Sequence, residues 1–322
     1  MRKIFQIITC LMLVSAMANA QQDAQFSQYM FNGIYINPAY AGYKEQLNLH
    51  AFYRNQWTAI KGAPKTMSLA IDAIANDGKV GLALQISSDR LGAQRNQSIY
   101  GNYAYRIRMN PDGSARLAFG VGFGAVQLGL DGRLLTPNNP EPYQPVGLQN
   151  TILPDARMGV YYSDNHFYAG FSIDNLVSQY INTNKYSFIA RPKPHYYLTA
   201  GILVPLSEEV IMKPSFLLKD DRGGPTSMDL NTFFILADKF WIGGSYRTGI
   251  SLYEKPHLQK ELSSVNSAVL AMQIIPVQTL RIGYAYDISI GPLNGYSSGT
   301  HEISVGYFFN KKNIRMLSPR YF

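Results

Sequence analysis

The chain has 322 residues, of which 16% are charged and 13% aromatic, and its formal net charge is +8. Its aromatic and branched aliphatic content excludes an intrinsically disordered protein, and its charged fraction is low beside the roughly one quarter of a typical soluble domain. After the N-terminus no run approaches the ~18 apolar residues of a spanning helix, which excludes an ordinary helical membrane protein.

Residues 1–20 have the pattern of a cleavable signal peptide. Arg2 and Lys3 form a positive region, an apolar core follows, and Ala18-Asn19-Ala20 is a small-residue cleavage site. The apolar core is too short for a membrane anchor. Cleavage removes Cys10, the only cysteine, and lowers the formal net charge from +8 to +6. We therefore expect an exported chain that begins at Gln21 and has no thiol.

Residues 21–45 are rich in aromatic and turn residues but do not alternate, so we expect a periplasmic N-terminal segment or a partial plug. Two interpretations stay open. The segment packs at a rim or in a lumen, or it docks a periplasmic partner. Because aromatic side chains anchor interfaces by filling pockets, the second predicts partner-binding roles for five residues, namely Tyr29, Phe31, Asn37, Pro38 and Tyr40.

Between residues 46 and 309 apolar and polar residues alternate with a period of two, which is typical of strands. In residues 279–288, for example, Leu280 and Ile282 point to one face while Arg281 and Gly283 point to the other. We predict fourteen strands, which start near Leu47, Thr66, Val80, Gln97, Arg116, Ala156, Phe167, Tyr196, Val210, Met228, Phe240, Val265, Thr279 and Glu302.

The connections between these strands alternate between tight turns, such as Asn76-Asp77-Gly78, and longer loops. This asymmetry is typical of outer-membrane barrels. The sequence therefore predicts an all-β fold, a transmembrane antiparallel β-barrel of about 14 strands with short periplasmic turns and longer extracellular loops. A soluble sandwich or lipocalin-like barrel would not need so many hairpins. An even strand count returns both ends to the periplasmic side.

A membrane barrel turns its apolar face to lipid and its polar face to the lumen. The charged residues predicted to face the lumen are Asp72, Arg106, Arg157, Lys213, Asp229, Arg247, Arg281 and Asp287. A water-filled lumen would also accept a serine at Gly283 or Ala285. The aromatic residues predicted to form girdles at the two membrane boundaries are Tyr53, Tyr161, Tyr162, Phe240, Trp241, Phe308 and Phe309.

Residues 310–322 form a tail beyond the last strand, which we expect on the periplasmic side. It ends Ser318-Pro319-Arg320-Tyr321-Phe322. Rim packing is one interpretation of this tail. The other is a docking surface, in which Arg320, Tyr321 and Phe322 bind a partner.

Motifs for chemistry are absent from the sequence. The five histidines lack metal-ligand spacing, and no G-x-S-x-G elbow occurs. Gly120, Gly122 and Gly124 lie within a strand and fit small lumen-facing residues better than a phosphate loop. We expect no catalytic, cofactor or metal site, no enzyme activity, and no nucleic-acid partner.

Several motifs, in order along the mature chain, resemble the PorP/SprF family. They are residues 25–29 (QFSQY), 37–42 (NPAYAG), 53–57 (YRNQW), 62–66 (GAPKT), 89–91 (DRL), 213–215 (KPS), 243–247 (GGSYR), 284–287 (YAYD) and 318–322 (SPRYF). The resemblance implies an outer-membrane, multi-pass component of the type IX secretion system of Bacteroidota. It implies secreted cargo, often gliding adhesins with a type B C-terminal domain, and a periplasmic peptidoglycan-linked partner lipoprotein.

The function expected from this resemblance is assistance to secretion or surface anchoring of cargo through protein–protein contacts, in contact with outer-membrane lipid and without a cofactor. A porin-like channel for small solutes is the alternative, because periodicity does not decide whether the lumen is open. A hydrolase embedded in the barrel is a more remote alternative.

Overall fold

The structure is a computed structural model, and it describes residues 26–135, 145, 147–181, 192–255, 266–290 and 295–309. The predicted signal peptide and C-terminal tail lie outside these residues, as do parts of four of the longer loops. All structural statements below concern the described residues.

Fourteen strands follow three short 3-10 turns. The strands are β1 (Leu47–Asn55), β2 (Lys65–Ala75), β3 (Val80–Leu91), β4 (Gln94–Arg108), β5 (Arg116–Asp131), β6 (Leu148–Ser163), β7 (Phe167–Asp174), β8 (His195–Ile202), β9 (Val210–Asp220), β10 (Thr226–Leu236), β11 (Phe240–Ile250), β12 (Ser267–Val277), β13 (Leu280–Ser289) and β14 (Thr300–Phe309). After a break at Leu203, β8 resumes as Val204–Pro205, which also pairs with β9.

The sheet closes on itself. Each strand pairs antiparallel with its neighbours in sequence, and the first and last strands pair from Leu47 opposite Phe309 to Asn55 opposite His301. Closure satisfies the backbone of every strand on both sides, which lipid cannot do. The prediction of a fourteen-stranded antiparallel barrel is confirmed. No helical segment in the described ranges has the length and apolar character that a membrane crossing needs.

The turns at one end of the barrel are tight, and their residues explain why. Asn76 and Asp77 have positive φ angles of 50° and 52°, and Gly78 follows at 78°. Asn, Asp and Gly tolerate this left-handed region best, and such turns match the twist of a hairpin. The longer connections lie at the opposite end. We refer to the ends as periplasmic and extracellular, following the short-turn and long-loop asymmetry of outer-membrane barrels.

The two faces of the sheet are assigned correctly by the alternation. All eight charged residues predicted in the lumen are buried there, and apolar side chains such as Leu84 and Ile282 are exposed on the outside. The prediction of aromatic girdles is wrong for three residues. Tyr161, Trp241 and Phe308 lie on the inward face, where Tyr161 and Trp241 are buried and Phe308 stacks on the Arg281 guanidinium. In each case the residues two positions away on the same strand also face inward.

β6 begins eight residues before its predicted start, at Leu148 rather than near Ala156. It pairs with β5 along its whole length, from Asp131 opposite Leu148 to Arg116 opposite Ser163. With 16 residues each, β5 and β6 are longer than the 8 to 11 residues of β7 to β14. This hairpin therefore extends further toward the extracellular side.

The outward face can be tested with Leu84→Arg on β3, where Leu84 is exposed in the middle of the apolar band. An arginine near the bilayer midplane is expected to cost about 2–4 kcal/mol of barrel stability. Leu206→Arg is the matched control, because Leu206 is exposed in a periplasmic turn. Urea unfolding in lipid vesicles measures both variants. Equal stability of the two would contradict the assigned lipid face.

Candidate functional site: a lumen filled by the N-terminal segment

The lumen is occupied by residues 26–46, which we call the plug. It contains three 3-10 turns, Tyr29–Phe31, Gly33–Tyr35 and Pro38–Tyr40. The plug starts beside the extracellular ends of β1 and β14 and descends to the start of β1 at the periplasmic end. Its residues contact strands on opposite sides of the barrel, so it crosses the whole interior.

Asparagine residues explain why this segment turns rather than extends. The side chain of Asn32 accepts a hydrogen bond from the Ile34 N–H at 3.3 Å, and Asn37 accepts one from Ala39 at 2.9 Å. Asn caps the start of a helical turn in this way, and Pro38 fits the first position after such a cap. Consecutive capped turns keep the segment compact enough for a lumen.

Glu302 holds the extracellular end of the plug. Its two carboxylate oxygens accept hydrogen bonds from the backbone N–H groups of Ser27 and Gln28, at 2.8 and 2.9 Å. The Gln28 side chain donates to the Glu302 carbonyl oxygen at 2.9 Å and accepts from Ser304 at 2.7 Å. Glu302 is fully buried, so these bonds form away from solvent. A carboxylate bonded to two amides is a strong, charge-assisted contact.

From Glu302 a chain of alternating charges runs around the lumen wall. Arg54 pairs with Glu302 at 2.9 Å and with Asp287 at 3.2 Å. Arg247 reaches Asp287 at 3.5 Å and binds Asp229 through two hydrogen bonds of 2.9 and 3.0 Å. The last member is Lys219, 3.3 Å from Asp229. Three carboxylates thus balance three cations in a buried network that also contacts the plug, because Arg54 donates to the Ser27 hydroxyl at 2.6 Å.

Further wall side chains bind the middle of the plug through its backbone. Arg157 donates to the Ile34 carbonyl oxygen at 3.2 Å, and Lys213 to that of Met30 at 3.4 Å. On the plug side, Asn37 donates to the Val160 carbonyl oxygen at 3.0 Å. Backbone carbonyls buried in a lumen need such hydrogen-bond donors, because each buried carbonyl without a donor lowers the stability of the fold by about 1–3 kcal/mol.

The periplasmic end is held by charge as well. Glu45 of the plug pairs with Arg106 at 3.2 Å and also contacts Arg116. The Asp72 carboxylate accepts a hydrogen bond from the Gly42 N–H at 3.2 Å. Acidic and basic groups at both ends therefore fix the plug in one register.

Backbone contacts between plug and wall leave room for little more than hydrogen at two glycines. A Cβ on Gly81 would lie 1.9 Å from the Ala41 carbonyl oxygen, and one on Gly120 would lie 2.2 Å from the Ala39 nitrogen. Both contacts are far shorter than any real Cβ distance. Gly120, the first glycine of the G-x-G-x-G run, thus allows close packing of the plug.

All five plug residues predicted to bind a partner are buried in the lumen. Phe31 packs edge-on against Phe233 and Trp241, Tyr40 against Tyr161, and Tyr29 accepts a hydrogen bond from Asn231 at 2.7 Å. Asn37 and Pro38 are buried with them. The partner-binding role of the five residues stays a prediction, and Arg320, Tyr321 and Phe322 lie outside the described residues.

Arg54 and Glu302, the contacts that anchor the plug, were missed by sequence reasoning. A signal was present, because both residues occupy inward positions of alternating strands. What the alternation does not provide is the partner of each charge. Ser27 and Glu302 are 275 residues apart.

The contacts between the plug and the barrel wall hold the plug in place. Among the described residues they do not form a catalytic or metal-binding group. Within the described ranges no group of three His, Asp or Glu side chains is placed to hold a metal ion. A cavity of about 110 Å³ remains beside the plug on the extracellular side. Its lining includes Phe26, Arg157 and Tyr197.

Comparison with known proteins gives one family match. The family model for "Type IX secretion system membrane protein PorP/SprF" matches residues 18–307. No curated protein matches the chain.

Two solved structures are similar to this chain. The CymD monoaromatic hydrocarbon channel is 12% identical with a TM-score of 0.50, covering 89% of this chain and 94% of its own. The outer membrane protein Omp33 of Acinetobacter baumannii is 6% identical with a TM-score of 0.47, covering 82% and 98%. At 12% identity the likeness to CymD shows the fold alone.

Proposed function

The chain belongs to the PorP/SprF family of type IX secretion system membrane proteins, and we propose that it assists secretion or surface anchoring of particular cargo through protein–protein contacts. Its closed barrel places it in the outer membrane as a multi-pass component of that system. Family and fold point to a secretion or structural role rather than to catalysis.

The occupied lumen is the observation that carries this proposal. The plug is bound at its extracellular end by Glu302, in its middle by Arg157 and at its periplasmic end by Arg106. A passive pore needs an open aqueous path, whereas a plugged barrel is free to act through its rims and loops. This supports contacts with proteins over conduction of solutes, the alternative function.

The partners we propose are the secretion machinery, a secreted cargo such as an adhesin with a type B C-terminal domain, and a periplasmic peptidoglycan-linked lipoprotein. Family membership supports interaction with the machinery. With Tyr29, Phe31 and Tyr40 buried in the lumen, the tail is the better docking candidate of the two segments. Its Arg320, Tyr321 and Phe322 are types that anchor interfaces.

Deleting residues 318–322 tests this assignment. We expect the barrel to fold, seen as heat-modifiable mobility on gels, because no strand loses a partner. The variant should lose a periplasmic protein in pull-downs from detergent-solubilised envelopes and display less type IX cargo on the cell surface. Replacing residues 318–322 with a Gly/Ser sequence of equal length keeps the length of the tail but removes its side chains. This variant therefore distinguishes the effect of the side chains from the effect of shortening the tail. A folded variant that keeps both the partner and the cargo would show that the tail is not the docking site.

A further inference from the structure

Outside the lumen, a row of basic side chains crosses the extracellular end of the sheet. Lys65 on β2 is paired with Arg90 on β3, and Arg90 is paired with Arg95 on β4. All three side chains are exposed and lie on the outward face, where their strands carry Met67, Ile86 and Ile99 nearer the membrane centre. Like charges directly opposite each other on neighbouring strands destabilise a sheet.

The row lies just beyond the apolar band. Along the strands, Lys65 is two residues from Met67, and Arg90 and Arg95 are each four residues from Ile86 and Ile99. At about 3.3 Å per residue these steps correspond to roughly 7 to 13 Å. That is the level of lipid headgroups, above the hydrocarbon but still beside the barrel.

The same residues line a cleft. A depression of about 550 Å³ is bordered by four cations, Lys65, Arg90, Arg95 and Arg133. Polar side chains such as Gln97 and Asn150 and apolar side chains such as Met67, Leu134 and Leu148 complete its lining. Arg133 is bound to Asp131 at 2.7 and 2.8 Å, so one of the four cations is balanced. Among the residues that the structure describes, the side chains of the other three make no ion pair. Asp131 is the one carboxylate among the lining residues, so the four cations leave the cleft with an excess of three positive charges.

We propose that this cleft binds the phosphate groups of a phosphorylated glycolipid in the outer leaflet of the outer membrane. Guanidinium groups match phosphate oxygens in geometry and charge. A lipid anchored in the leaflet presents its phosphates at the level of the row and its acyl chains against the apolar side chains below. A protein ligand or a soluble anion would not need this alignment with the apolar band.

Binding of diphosphoryl lipid A to the full mature barrel in detergent, followed by native mass spectrometry, tests the proposal. The variant combines Lys65→Gln, Arg90→Gln and Arg95→Gln. We expect its affinity to fall about 100-fold, because each cation near an anionic surface contributes roughly a factor of five. The matched control combines Lys79→Gln, Arg108→Gln and Lys239→Gln, three exposed cations at the periplasmic end, and should bind as the native chain does.

Two further arms identify the source of the phosphate. Dephosphorylated lipid A should bind the native barrel as weakly as the triple variant does, and inorganic phosphate should not displace the intact lipid. Displacement by inorganic phosphate would overturn the proposal in favour of a soluble anion. Unchanged lipid binding by the triple variant would overturn it as well, and a pull-down in which that variant loses a protein would point to a protein ligand.

Discussion

Deletion of residues 27–42 is expected to turn a barrel that does not conduct ions into one that does. The deletion removes the three 3-10 turns that fill the lumen but leaves all fourteen strands paired. Eight-stranded barrels are filled by their own side chains, whereas barrels of 16 to 18 strands enclose aqueous channels, so a fourteen-stranded wall needs additional material to be closed. Planar-bilayer recordings should show no stable current for the native chain and discrete steps for the variant.

The folded state of the deletion variant must be verified by heat-modifiable gel mobility. A milder variant, with Tyr29, Phe31 and Tyr40 changed to Ala, keeps the plug backbone but removes aromatic rings that pack on the wall. It should conduct intermittently. If both folded variants conducted no more current than the native barrel, the plug would not be what closes the lumen.

Glu302→Ala is expected to release the extracellular end of the plug. The substitution removes the acceptor of the Ser27 and Gln28 amides and the 2.9 Å partner of Arg54. Removing one member of a buried ion pair typically costs about 3–5 kcal/mol. Here Arg54 keeps Asp287 as a partner, but the buried network is left with three cations and two carboxylates. Amide hydrogen exchange across residues 26–31 should accelerate strongly, and thermal unfolding should shift to lower temperature.

Glu208→Ala is the matched control for this change, since Glu208 is exposed in a periplasmic turn. It should leave both exchange and unfolding unchanged. Glu302→Gln keeps one acceptor oxygen without the charge. Its exchange rates and unfolding temperature should lie between those of Glu302→Ala and those of the Glu208→Ala control. Native exchange rates in the Glu302→Ala variant would mean that Arg157 and Glu45 hold the plug without help from this end.

The barrel could be predicted from sequence because its determinants are local. Alternation within each strand fixes the inward residues, and turn residues such as Asn76 and Asp77 fix where a hairpin reverses. The start of β6 was missed because residues 149–151 (QNT) and Pro154 interrupt the apolar positions. Asn150 faces outward at the level of Arg95, beyond the apolar band, where an apolar residue is not required.

The contents of the lumen could not be predicted in the same way. Caps such as Asn37 indicate turns, but they do not indicate what the turns pack against. The expectation that a serine would be accepted at Gly283 depended on a water-filled lumen, but the plug occupies the lumen at that position. A Cβ on Gly283 would lie 2.3 Å from both the Gln28 side chain and the Ser304 hydroxyl. Contacts between a segment and fourteen strands depend on the closed barrel as a whole.

Surface display of type IX cargo in cells that lack this chain is the measurement that bears most directly on its function. We expect particular cargo proteins to disappear from the surface, other outer-membrane barrels to keep their levels, and reintroduction of the native chain to restore display. The native barrel should restore display without conducting in bilayers. Normal display of every type IX cargo, combined with slower uptake of small solutes, would contradict a role in secretion and favour a channel.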